Sequence, residues 1–172
     1  MNAINKISIV LVMSLFGAHG AFAKPVAAIT KPKLVELSFM SKVNSREVID
    51  IGKPGSSMGD IVVGNGDVLN LSGTIIGAVE YLGTVTHIKQ ESEFRWLHSE
   101  YYFGDGTDSI IIEGAEEFQT PSGLPVANRP QIFAVTGGTG IYYGANGECS
   151  AKRTDAMNFV TTCQFSVLKS PY

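Results

Sequence analysis

Short runs of β-type residues, separated by clusters of glycine, are the feature of this sequence that most constrains its fold. Eight such runs occur at near-regular spacing, and the chain contains 19 glycines among 172 residues. An amphipathic helix would need apolar residues every three to four positions over ten or more residues, and no long stretch shows that period. The pattern therefore predicts one all-β domain, either a barrel or a sandwich.

The predicted strands lie between residues 34 and 170, after an unstructured lead-in over 24–33 that contains two prolines. They span 34–40, 59–63, 74–87, 94–103, 109–118, 130–136, 144–151 and 158–168. Residues with turn chemistry separate them at 53–55, 64–67, 104–106 and 121–123. In the last run, alternate residues from Phe159 to Val167 form the more apolar face, which is typical of a sheet that encloses a core.

The first 23 residues have the order of a secretory signal peptide. A charge at Lys6 precedes an apolar run over 7–16, and small residues follow up to Ala23. A run of that length rises only about 15 Å as a helix, half of the ~30 Å hydrocarbon core, which disfavours a membrane anchor. We expect cleavage after Ala23 and a mature protein that is periplasmic or secreted.

Charge and composition argue against several classes of partner. The chain has 13 basic and 16 acidic residues, and the basic ones are scattered, whereas nucleic-acid binding needs a concentrated basic face. No later apolar run reaches 18 residues, so no membrane span is expected. His87 and His98 lack the spacing of a metal site, and we expect no metal.

The two cysteines, Cys149 and Cys163, flank a polar stretch at 152–158 that has no strand pattern. If this stretch is a hairpin turn, the cysteines face each other, and an oxidising compartment would favour a disulfide. Two separate buried thiols are the alternative that the sequence leaves open. A zinc site is disfavoured because two cysteines supply only half of a tetrahedral ligand set.

Two glycine-containing motifs suggest chemistry that their surroundings do not support. Residues 55–59 match the G-x-S-x-G nucleophile elbow, but that motif requires a strand before it and a helix after it. Residues 137–140, Gly-Gly-Thr-Gly, lack the lysine of a phosphate-binding loop. We interpret Gly137, Gly138, Gly140 and Gly144 as structural glycines of a tight turn.

The stretch over 133–148, Phe-Ala-Val-Thr-Gly-Gly-Thr-Gly-Ile-Tyr-Tyr-Gly-Ala-Asn-Gly-Glu, resembles a signature of the allene oxide cyclase family. Dirigent proteins carry a related Gly-Gly-Thr-Gly segment. Residues 59–63 and the run from 101–105 into 109–114 agree with the family in order. The resemblance covers about residues 34–168, which is nearly the whole predicted mature chain.

This resemblance implies an eight-stranded antiparallel β-barrel with an apolar internal pocket, commonly assembled as a homotrimer and needing no cofactor. In plant allene oxide cyclases the pocket guides closure of an unstable fatty-acid epoxide to a cyclopentenone. Dirigent barrels orient phenolic radicals, and some bacterial barrels of similar shape catalyse cyclisations. An apolar small molecule, either fatty-acid-derived or phenolic, is the partner that the resemblance implies.

The resemblance also suggests site residues. Glu36 falls on the family's first-strand glutamate and would be the catalytic, charge-stabilising group, although strand alternation alone leaves open which face it occupies. Ser38 and Asn65 would donate hydrogen bonds to the ligand. Phe39, Tyr81 and Phe133 would form apolar walls.

Three functions are compatible with these observations. The first is a cofactor-free cyclase or isomerase, in which the pocket holds one substrate conformer and a few polar groups stabilise developing charge. The second is a non-catalytic, dirigent-like template or carrier that uses the same cavity. The third is a structural barrel whose interior is filled by side chains, since eight strands enclose just enough space for either outcome.

Overall fold

The computed structural model describes residues 31–120, 122–155 and 157–169, so the predicted signal peptide and most of the lead-in lie outside it. Within the described residues, no helix is long and apolar enough to cross a membrane. The elements are β1 (Lys33–Ile49), β2 (Ile61–Leu69), β3 (Ile75–Lys89), β4 (Ser92–Phe103), β5 (Asp108–Gln119), β6 (Leu124–Pro125), β7 (Gln131–Thr139), a 3₁₀ turn (Gly140–Tyr142), β8 (Asn146–Arg153) and β9 (Asn158–Val167).

Eight of these strands close into an antiparallel barrel. The sheet runs β4-β3-β2-β1-β9-β8-β7-β5, and pairing between β4 and β5 joins its two ends. The two-residue β6 pairs only with the last residues of β5. Because β4 and β5 pair with each other, neither end of the sheet is left as a free edge strand. The predicted all-β, eight-stranded antiparallel barrel is therefore confirmed.

Aromatic side chains fill one end of the barrel, which we call the closed end. Phe39 and Phe165 are almost completely buried there. The ring of Tyr142, from the 3₁₀ turn, lies 5.5 Å from Phe103 and 5.7 Å from Phe165 between ring centroids. These tilted and edge-on contacts are favourable arrangements for aromatic pairs. The closed end therefore holds a packed core rather than a cavity.

The predicted hairpin and its disulfide are confirmed. Cys149 lies directly opposite Cys163 in the β8–β9 ladder, the two are bonded, and neither is exposed to solvent. Their Cα atoms are 3.9 Å apart, closer than the 4.4–6.8 Å usual for disulfides. In the turn, the Asp155 carboxylate accepts hydrogen bonds from the backbone N–H groups of Met157 and Asn158.

The turn predicted at 64–67 is wrong, because these residues lie inside β2. Here β1 carries a bulge between Val43 and Ser45, and the two strands approach very closely. A side chain at Gly66 would collide with the backbone carbonyl of Lys42. The glycine is thus needed for close strand approach, which a local sequence pattern cannot distinguish from a turn.

The glycine-rich segment after β7 divides into two parts. Gly140 and Gly144 have φ of +57° and +66° and form the predicted turn. Gly137 and Gly138 instead lie within β7 and pair with β5, so their placement in the turn is wrong. A Cβ atom at Gly138 would lie 2.6 Å from two backbone carbonyl oxygens, those of Ser109 and Tyr142. Only glycine, which has no Cβ atom, avoids this clash.

Candidate functional site

A cavity occupies the barrel interior at the end opposite the aromatic packing, which we call the open end. The centres of water-sized molecules can reach about 100 Å³ of it, enough for several waters or part of a small organic molecule. Its wall is mostly apolar and includes Val43, Val62, Val79, Leu97, Ile112, Phe118, Phe133 and Phe159. A few polar side chains interrupt this wall, namely Ser41, Arg46, Tyr81, Arg95, Ser99, Tyr101 and Glu116.

Glu116, on β5, is the carboxylate of this cavity. Its side chain points inward beside Phe118, and only 7% of the residue is exposed. Burial raises its pKa to about 7, an effect that the charges of Arg95 and Arg153 oppose. It makes no side-chain hydrogen bond to another described residue, so its carboxyl group is free to contact a ligand. A carboxyl group with a pKa near the operating pH can both accept and donate a proton.

Arg95 lies directly opposite Glu116 in the β4–β5 register and is also buried. Its guanidinium forms an ion pair with Glu93 on the same strand and lies 4.1 Å from the centroid of the Phe118 ring. Ser56 donates a hydrogen bond to the same Glu93 carboxylate. Burial lowers the pKa of Arg95, and the Glu93 carboxylate opposes this shift. A buried cation thus stands beside the carboxyl group, held by a partner at the cavity edge.

Two tyrosines complete the polar wall. Burial, together with the charge of Glu116, raises the pKa of Tyr101 to about 12, so the phenol stays protonated and can donate a hydrogen bond. Its ring packs on Phe39 with centroids 4.8 Å apart. Tyr81 lies across Gly64, whose missing side chain leaves room for the phenol ring. Burial raises the pKa of Tyr81, while the charges of Arg46 and Arg95 oppose the shift.

The loop between β1 and β2 lies at the open end. Asp60 is 2% exposed and accepts hydrogen bonds from the backbone N–H groups of Ile51 and Ser57, at 2.9 and 2.7 Å. The Ser57 hydroxyl donates to Asp60 and lies 2.9 Å from the carbonyl oxygen of Ile51. These hydrogen bonds give the G-x-S-x-G serine a structural role, and β2 rather than a helix follows it. The motif is a loop, as predicted, and not a nucleophile elbow.

The structure brings only part of the predicted site together. Tyr81 and Phe133 line the cavity, and Phe39 supports it from the core. Ser38 and Asn65 are exposed on the outer face, where Ser38 donates a hydrogen bond to Thr162 at 3.2 Å.

Glu36 also lies outside the barrel. It is exposed, and its nearest polar contact is Gln164 at 3.4 Å, directly opposite on β9. On β1 the inward positions are those of Leu37 and Phe39, so strand alternation turns Glu36 toward solvent. This placement corrects the expectation that Glu36 lines the cavity, and its position gives no support to the catalytic role inferred from the resemblance.

Sequence reasoning missed Glu116, although a signal was present. Within the predicted strand at 109–118, Glu116 alternates in phase with Ile110, Ile112 and Phe118. A carboxylate on the apolar face of a strand is costly to bury and often marks a functional position. Among the described residues, no group of three or more His, Cys, Asp or Glu side chains could hold a metal ion.

Comparisons with known proteins support the fold. No family model and no curated protein matches the chain. Among solved structures, a pyocyanin demethylase aligns with a TM-score of 0.61 at 19% identity, over 76% of this chain and 99% of that one. A pterocarpan synthase dirigent protein aligns at 0.60 and 14% identity, over 85% and 96%. A Diels–Alderase from Streptomyces koyangensis aligns at 0.56 and 18% identity, over 84% and 77%. At these identities the likeness concerns the fold alone: the chain has the barrel fold of cyclases and dirigent proteins.

Proposed function

We propose that the barrel binds a small apolar or amphipathic molecule in its open-end cavity and acts on it as a cofactor-independent isomerase or cyclase. The observation that carries this proposal is Glu116, a buried carboxyl group with no hydrogen-bond partner among the described residues and a pKa raised to about 7. In a structural barrel filled by its own side chains, such a group would only lower stability, because burying an unpaired carboxyl group is unfavourable. The fold shared with cyclase barrels is consistent with this function.

The cavity would contribute in two ways. Its apolar wall would hold one conformer of a flexible molecule, so that the reacting atoms stay close together. Glu116 would remove a proton from one atom of the bound molecule and return it to another, which leaves the composition of the molecule unchanged. The Tyr101 phenol would donate a hydrogen bond to an oxygen on which negative charge develops. Export from the cytoplasm and assembly as a homotrimer belong to the same proposal.

The alternative is a template that orients a molecule without reacting with it, as the similarity to a dirigent protein suggests. Both functions need an accessible cavity. They differ in whether the bound molecule changes, so binding and conversion are tested separately.

Blocking the cavity should abolish binding. Ala151 lines the cavity, whereas Ala134, on the neighbouring strand β7, points outward. We expect Ala151→Phe to weaken binding of 3-phenylpropanamide, a small neutral stand-in ligand, at least about 10-fold in an NMR titration, because the new ring occupies the ligand's space. Ala134→Phe should leave affinity unchanged. Equal binding by both variants would place the ligand outside the barrel and contradict the proposal.

Removing the acid–base group should separate catalysis from binding. A compound that native mass spectrometry finds bound to the purified protein would be incubated with wild type and with Glu116→Gln, and the products separated by liquid chromatography. We expect wild type to form an isomer of unchanged mass, and Glu116→Gln to bind the compound but convert it about 10²-fold more slowly. A compound recovered unchanged from wild type would identify a template.

A further inference from the structure

We infer that the cavity recognises an anionic oxygen of its ligand, such as a carboxylate, through the guanidinium groups of Arg46 and Arg95. This inference rests on the proposed function and adds the chemical class of the ligand, a small amphipathic acid. Neither the predicted site nor the resemblance includes these two arginines.

Arg95 provides the first observation. It is 4% exposed and lines the cavity, yet its Nε–H has no hydrogen-bond partner among the described residues. Its Nη2 is occupied by Glu93. A buried donor left without a partner is costly and uncommon in native proteins. An acceptor oxygen supplied by a ligand would satisfy it.

Arg46 provides an independent observation. The bulge between Val43 and Ser45 turns Arg46 toward the interior, where it lines both the cavity and the opening beside the β1–β2 loop. Among the described residues, its buried Nε–H has no partner and its guanidinium forms no hydrogen bond or ion pair. The guanidinium packs against Gly123, where a side chain would collide with it. A charged group is thus held at the cavity entrance, and the described residues supply no acceptor for its Nε–H.

The two cations lie close to each other. Arg46 and Arg95 line both the cavity and the opening beside the β1–β2 loop, and Tyr81 lines the same cavity. Burial raises the pKa of Tyr81, and the charges of both arginines oppose this rise. Within the part of the chain that the structure describes, Glu93 is the one carboxylate that forms an ion pair with either guanidinium. An anionic oxygen between the two arginines would relieve their repulsion and accept hydrogen bonds from both, a geometry that guanidinium groups favour.

The apolar part of the cavity wall indicates the chemical character of the rest of the ligand. Beyond the arginines, toward the closed end, the wall is formed by apolar side chains that include Leu97, Ile112 and Phe133. A ligand with its acid group at the opening would place its apolar part among them. Glu116, directly opposite Arg95, would then lie where the acid group of the ligand meets its apolar part, so a proton transfer would act on the atoms next to the acid group.

The experiment compares an acid with its neutral isostere. We expect wild type to bind 3-phenylpropionate at least about 10-fold more tightly than 3-phenylpropanamide in NMR titrations at fixed ionic strength. In Arg46→Gln this preference should fall to less than about 2-fold, while affinity for the amide is retained. Arg129→Gln is the matched control, because it removes the same charge from an exposed residue that pairs with Glu117 outside the cavity.

Arg95 is tested together with its partner, because Arg95→Met alone would leave the Glu93 carboxylate buried and unpaired. The double variant Glu93→Gln/Arg95→Met should also lose the preference for the acid, with a melting curve confirming that it is folded. Equal binding of acid and amide by wild type would overturn this inference and leave the binding function standing. Failure of wild type to bind either compound would overturn both.

Discussion

Glu116→Gln is expected to stabilise the protein at pH 8.5 and to leave its stability nearly unchanged at pH 5. The pKa of Glu116 is raised to about 7 in the folded protein, from 4.5. Between these values the folded state binds more protons than the unfolded state, so the free energy of unfolding falls as pH rises. At pH values well above 7 the folded protein must keep Glu116 buried as a charged carboxylate. For a pKa shift of this size, this lowers the free energy of unfolding by about 3 kcal/mol. Glutamine carries no charge and avoids the penalty.

Urea unfolding of both proteins at pH 5, 7 and 8.5 measures this difference directly. Glu117→Gln is the control, since Glu117 is the next residue on β5 and its pKa is lowered, chiefly by the hydrogen bond from Arg129. Its ionised form is favoured in the folded state, so this variant should not stabilise the protein at any of these pH values. A difference between Glu116→Gln and wild type that does not change with pH would show that Glu116 does not titrate in this range.

Removing the disulfide is expected to lower the free energy of unfolding by about 3 kcal/mol. The bond between Cys149 and Cys163 closes a loop with a sequence separation of 14, and cross-linking a loop of this length restricts the unfolded chain by about that amount. Such a loss is a large fraction of the 5–15 kcal/mol typical of a folded domain. Chemical unfolding of Cys149→Ala/Cys163→Ala beside wild type measures it.

The neighbouring cross-strand pair provides a control for the substitutions themselves. Ser150 and Thr162 face each other one position along the same ladder, and their replacement by alanine should cost less than about 1 kcal/mol. A reducing agent should destabilise wild type but not the cysteine-free variant. Alkylation of both thiols in the folded, unreduced protein would contradict the bond.

The fold could be predicted because its determinants are local. The Ile-rich alternation at 109–118 lies between Gly-Asp-Gly and Pro-Ser-Gly turns, and β5 forms at Asp108–Gln119. Local sequence patterns gave a wrong prediction where a glycine allows close contact with a strand that is distant in sequence. The Gly-Asn-Gly-Asp run has the composition of a turn, yet Gly66 continues a strand because β1 passes too close for a side chain. That contact depends on the register of two strands, which composition does not encode.

The site was harder to predict, for reasons that lie in two strands. In β4, the bulky Phe94, Trp96 and Tyr102 lie on the outer face while Arg95 points inward, so an assignment by hydrophobicity selects the wrong face. In β1, the bulge after Val43 shifts the alternation and brings Arg46 inside. Residues before the bulge, such as Glu36, keep the original phase and point outward. A single inserted residue therefore decides which β1 side chains line the cavity.

The two unlike ends of the barrel separate the residues that determine stability from those that determine specificity. The aromatic cluster of Phe39, Phe103, Tyr142 and Phe165 lies at one end, and the loops that border the cavity lie at the other. Mutations at the exposed positions of the loops over 50–59 and 126–130 leave that cluster untouched. A combinatorial library confined to these loops should therefore yield mostly folded proteins, and the barrel is a practical starting point for selecting binders of new small molecules.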